Sequence, residues 1–207
     1  MCRYTRPTAI GCVATLVLLI AAGVAPANRG IIPTGGAITA VNEGTITFGT
    51  MGGFTYRCAR VTLVGEVWEV FDKSGTLPAS QVGQIDTGTA GECRAEGGAA
   101  ATVVFLMERR APADMRYNSF LGTLPRISGL LILFLTFRFS ISTNIIRCLF
   151  QGDLGVLALF PPSVEGGGTQ YTRVSPLLTR LRSTDCMGDA TVSGTFRLTP
   201  AQSLLLV

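Results

Sequence analysis

The chain of 207 residues carries 17 basic and 13 acidic side chains, a formal net charge of +4, and no histidine. Without histidine, Ser-His-Asp and Cys-His catalysis, His-ligated zinc and a histidine-based pH switch are all excluded. The length suits one domain of ordinary size.

Residues 1–27 read as an export signal. Arg3 and Arg6 supply a positive start, residues 10–22 are an apolar run, and Ala25-Pro26-Ala27 offers a small-x-small cleavage site. The run falls short of the roughly 20 residues of a membrane-spanning helix, so a removable leader is expected and no membrane span after its removal. Both leader arginines leave with it, so the charge falls to 15 minus 13, or +2. That near-neutral balance argues against nucleic acid as a partner.

Residues 28–35 are expected to be a flexible N-terminal segment, and residues 36–207 a single β-domain. Short runs rich in Val, Ile, Thr and Phe occupy 37–41, 45–48, 54–71, 101–107, 130–142 and 145–160. Breaks fall at Gly35-Gly36, Asn42-Glu43-Gly44, Gly52-Gly53, Gly97-Gly98 and Gly166-Gly167-Gly168. Such spacing predicts an all-β fold, a disulfide-stapled antiparallel β-sandwich or partly closed barrel. No segment sustains a helical period, and at most 200–205 would wind one terminal turn. In 130–142 a two-residue period from Leu133 places Leu133, Leu135, Phe137, Phe139 and Ile141 on one face. The segment is expected at the centre of a sheet, since an apolar edge strand invites aggregation.

Four cysteines remain once the leader is removed: Cys58, Cys93, Cys148 and Cys186. An even number in an exported chain points to two disulfides and away from metal or redox work. Of three possible pairings, Cys58–Cys93 and Cys148–Cys186 are expected because they close loops of similar size.

The sharpest chemical signal is Ile85-Asp86-Thr87-Gly88-Thr89-Ala90. It resembles the active-site motif of the aspartic peptidases, in which two carboxylates share one proton. The resemblance implies Asp86 as one half of a dyad, and a chain with a single motif would complete it by homodimerising. Asp and Gly also favour tight turns, and we take these residues as a turn ending at Cys93.

Other acids form only close pairs, Glu66 and Glu69, Glu92 and Glu96, Asp185 and Asp189, all expected to be solvated. No metal site and no cofactor are expected. Arg109, Arg110, Arg116, Arg126 and Arg138 cluster in sequence, and Arg109, Arg110 and Arg116 are a candidate site for anionic cell-envelope polymers. The lone Trp68 reads as a core or rim residue.

Across the chain, GGAITA with GTITF, the strand-borne RC, FLGTLP and SGTFRLTPAQ resemble uncharacterised secreted β-rich proteins of high-GC Gram-positive bacteria. The resemblance implies a secreted or cell-surface bacterial protein. The expectation is therefore an exported non-catalytic β-domain with a structural, surface or binding role. Its alternatives are a homodimeric aspartic peptidase-like enzyme using Asp86 and a binder of anionic envelope polymers.

Overall fold

A computed structural model of the chain describes residues 31–33, 35–50, 52–68, 81–123, 126–163, 168–176, 181–183, 186 and 188–206. The expected leader, with Glu69 and Asp185 among the paired acids, lies outside the described residues.

Every pairing is antiparallel, and the strands are β1 (Ile31–Pro33), β2 (Gly36–Thr50), β3 (Thr55–Val67), β4 (Gln81–Ala95), β5 (Thr102–Phe105), β6 (Ala113–Thr123), β7 (Arg126–Ser142), β8 (Arg147–Ser163), β9 (Gly168–Pro176), β10 (Arg182–Ser183) and β11 (Ala190–Leu206). The fold is all-β, as its residue patterning predicts. Eight strands close a ring of hydrogen-bonded neighbours, in the order β2-β3-β4-β6-β7-β8-β9-β11 and back to β2. Neighbours in the ring follow one another along the chain, with β5 hung on β7, β10 on β8 and β1 on β11.

The ring is filled with apolar side chains. Ile38, Ile46, Phe48, Val61, Leu63, Ile132, Phe139, Phe150, Val156 and Phe196 are all buried. Phe139 is a hub, with its ring centroid 5.1 Å from Phe48 and 5.2 Å from Phe150. Burying each such ring contributes about 1.5–3 kcal/mol, and each aromatic pair about 0.5–1.5 kcal/mol more. The outward side of β2, β3 and β4 carries Arg, Glu, Thr and exposed Val. That is the reverse of the polar-inside, apolar-outside pattern of outer-membrane barrels.

Strand β2 is longer than the sequence breaks suggest, because one break is a bulge. Asn42-Glu43-Gly44 sits inside the fifteen-residue β2, where the register with β3 shifts between Val41 and Ile46. There the Asn42 side chain replaces ladder hydrogen bonds, its Oδ1 accepting from Val61 N at 2.7 Å and its Nδ2 donating to Ala59 O at 2.8 Å. A bulge bends a strand without ending it.

β7 departs from the expected face assignment for the same reason. Leu130, Ile132 and Phe134 point inward, then Phe137, Phe139 and Ile141 do. Thr136, with φ of 55°, marks the phase change, and the register with β8 shifts between Phe134 and Phe137. Leu133 and Leu135 therefore lie half-buried on the outer side, apart from the inward phenylalanines. The central placement of this strand holds, since β7 pairs with β5, β6 and β8.

At the C-terminus, 200–205 is strand and forms no helical turn. Gln202 to Leu205 pair with Tyr171 to Gly168, and Leu204 to Leu206 pair with β1, so their backbone groups are engaged between strands. The polar stretch 108–117 contains the start of β6.

Candidate functional site

Both expected disulfides are present, Cys58–Cys93 and Cys148–Cys186. Cys58 and Cys93 face each other directly across β3 and β4, with Cα atoms 4.0 Å apart. In antiparallel register the residue before one cysteine meets the residue after the other. Arg57 is consequently opposite Arg94, and both are exposed on the outer wall. Like charges directly opposite one another destabilise a sheet by roughly 0.2–1 kcal/mol. Arg94 Nη1 donates to Gly98 O at 3.1 Å. Among the described residues neither arginine has a carboxylate within ion-pairing distance. The two lie in an open depression of about 820 Å³ that Thr45, Ala59, Glu96 and Gly98 also line.

A second arginine pair stands on the same wall. Arg173 of β9 is opposite Arg197 of β11, and Thr195 of β11 is opposite Glu43 in the bulge of β2. Glu43 reaches across β11 to both, its oxygens 2.6 and 3.2 Å from Arg173 and 4.0 Å from Arg197. The hydrogen bond and charge of Arg173 hold the Glu43 carboxyl below its ordinary value of 4.5, with burial opposing and Arg197 adding to the effect. Arg60 lies between the pairs and is bound to Glu92 at 2.7 Å. The wall from β9 through β11, β2 and β3 to β4 thus presents five arginines, 57, 60, 94, 173 and 197, against five acids, Glu43, Glu66, Asp86, Glu92 and Glu96, so its charges balance and the arginines are distinguished by their pairing across strands.

Asp86 lies within β4, where sequence patterning suggests a turn. The register with β3 shifts between Val64 and Gly65, which leaves Asp86 as the extra residue opposite that step. Its Oδ1 accepts from Gln84 Nε2 at 2.8 Å. The nearby acids are engaged elsewhere, Glu66 by the Trp68 indole at 2.9 Å and Asp114 by Gln81 Nε2 at 2.8 Å. Gly88 is explained by packing, because a β-carbon there would lie 2.7 Å from the Phe105 ring and 2.9 Å from Leu63 Cδ2. Gly65 and Gly83 allow close backbone approach, their hypothetical β-carbons meeting Gln84 O at 2.1 Å and Glu66 O at 2.2 Å.

The sequence cluster of arginines is spread over different elements. Arg109 and Arg110 sit in the exposed tight turn closed by Glu108 and Ala111. Arg116 is half-buried on β6 and Arg138 half-buried on β7, each with a buried Nε that has no hydrogen-bond partner among the described residues. The Arg57–Arg94 pair was legible in principle. Arg-Cys at 57–58 and Cys-Arg at 93–94 are mirror images about the predicted bridge, and a cross-strand bridge sets the two arginines opposite.

Inside the ring, Gln202 is fully buried. Its Nε2 donates to Pro200 O at 3.3 Å, and its Oε1 has no partner among the described residues. It borders a cavity of about 20 Å³ with Ile38, Met115, Phe134 and Leu198. That volume admits one water-sized molecule and nothing larger. Among the described residues no three Cys, Asp or Glu side chains stand close enough to hold a metal ion.

No family model matches the chain, and no curated protein or solved structure is significantly similar to it.

Proposed function

We propose that the chain is an exported, non-catalytic β-barrel domain that binds an anionic polymer of the cell envelope on its outer wall. The observation that carries this reading is the Arg57–Arg94 pair, set opposite one another across a disulfide, with no carboxylate within ion-pairing distance among the described residues and with Glu92 and Glu96 on the rim of the same depression. Two guanidinium groups on adjacent strands match phosphate or carboxylate groups, since each presents a planar fork of donors. Thr45 and the glycine turn at 97–98 border the pair and leave the approach open. The well-filled interior leaves the wall as the place where a large ligand can be met. Two disulfides fit an oxidising compartment outside the cytoplasm, in agreement with the expected export signal.

The test is retention of the oxidised chain on immobilised polyphosphate and, separately, polygalacturonate. Binding is expected at low salt and should weaken steeply between about 0.05 and 0.2 M, as counterion release requires. Arg57→Gln with Arg94→Gln should abolish most retention and reduce the salt slope by about one per arginine removed. Arg109→Gln with Arg110→Gln, in the exposed turn, should have the smaller effect. Equal loss in both double variants, or retention insensitive to salt, would sink the assignment to this pair.

A further inference from the structure

We infer that the two arginine pairs are the two ends of one track, so that the wall selects linear polyanions by length. This deepens the proposed function and rests on it.

The register supplies the geometry. On β2, Thr47 is opposite Arg57 while Val41 is opposite Arg197, and the two arginines belong to the strands on either side of β2. The bulge of β2 shortens this step to four residues on β11 and five on β3, about 13–17 Å at 3.3 Å each, and with two strand spacings of about 4.8 Å the pairs lie roughly 16–19 Å apart along a diagonal. Arg94 extends the near end by one strand, and Arg173 the far end.

The surface between the pairs suits an extended chain of repeated negative charge. Arg60 stands on the route, 75% exposed, and Thr45 lies beside it. The two acids on the route are each held by an arginine, Glu43 by Arg173 at 2.6 Å and Glu92 by Arg60 at 2.7 Å. Only Glu96, at the near end, lies exposed with no ion-pairing arginine among the described residues. The ends are unequal. Arg57 and Arg94 make no ion pair among the described residues, whereas Arg173 and Arg197 share Glu43. The first pair therefore captures and the second extends.

An oligomer shorter than the separation engages one pair. One that spans it engages both, and the second contact forms at an effective concentration in the millimolar range. Affinity then rises in a step at that length. Beyond the step it grows only with the number of overlapping binding registers.

The experiment measures Kd for a size-fractionated series of linear polyphosphates, with size-matched oligogalacturonates as the carboxylate arm. The native chain should show a drop in Kd of about tenfold or more once the extended oligomer reaches roughly 16–19 Å. Arg173→Gln with Arg197→Gln should remove the step, with an unchanged far-UV circular dichroism spectrum and a cooperative urea transition showing that the variant is folded. A smooth dependence on length in the native chain, or a step that survives this double substitution, overturns the track. Absence of binding at any length overturns the polyanion reading itself and the track with it. A step in only one arm identifies whether phosphate or carboxylate spacing is the better match and supports the track.

Discussion

At Gly88 the ring of Phe105 occupies the space a β-carbon would need. The glycine of the Asp-Thr-Gly-Thr stretch is thus tied to the aromatic core, because Phe105 also lies 5.7 Å from Phe137 and 6.5 Å from Phe48, centroid to centroid. Gly88→Ala is expected to destabilise by about 1–3 kcal/mol through overpacking. Phe105→Leu removes the ring from that spot, so the double variant should lose less than the sum of the two single losses. Urea midpoints across the four proteins measure this coupling, and strict additivity would show that the ring is not what excludes the methyl. Asp86 was recognisable from its neighbours in sequence, but its position was not. Turn-forming residue types describe local preference, and here pairing with β3 outweighed it.

Among the elements, β2, β9 and β11 are joined by Glu43, whose carboxyl is held low by Arg173 and Arg197. A carboxylate with a depressed folded value contributes stability above its unfolded value, and loses it as pH falls through the folded one. The contribution should be fully present at neutral pH and fade below about 4.5. Protonation also leaves Arg173 and Arg197 facing each other unneutralised, which acts in the same direction. Glu43→Gln should therefore lower Tm at pH 7, with a deficit that shrinks as pH falls below about 4.5; a deficit that stays constant across that range would exclude the ion pairs as its source. Bulges explain why the elements were only partly legible. The hydrophobic alternation of β7 reads correctly on each side of Thr136, yet the phase change there depends on β8 and so escapes a strictly periodic reading.

For the molecule as a whole, closure of the ring requires β11 to pair with β2, joining residues as far apart in sequence as Thr199 and Thr39. The disulfides close much shorter loops, with separations of 35 and 38 residues. Each should stabilise by about 3–4 kcal/mol in the chain-entropy model. Removing Cys58–Cys93 by paired serine substitutions should lower stability and also weaken polyanion binding, because a covalent tie at the Arg57–Arg94 register is lost. Removing Cys148–Cys186 should lower stability comparably while leaving binding of short oligomers unchanged. Calorimetry with the Kd series separates the two effects, and equal binding losses would show that stability alone governs the wall.

Residue type and spacing alone determined the all-β class, the central placement of β7 and the exclusion of histidine chemistry, and they favoured the disulfide pairing that the structure shows. Those properties follow from side-chain period, β-branched and aromatic content, loop size and simple absence. Tertiary structure decided the rest: the closed ring, the bulge that turns an apparent break into a bend, and which arginines are neighbours. Arg109 and Arg110 adjoin in the chain and share a turn, whereas Arg57 and Arg94 are 37 positions apart and face each other. Register between strands is a long-range property, set by pairing and pinned by the disulfide, and it alone brings those two charges together.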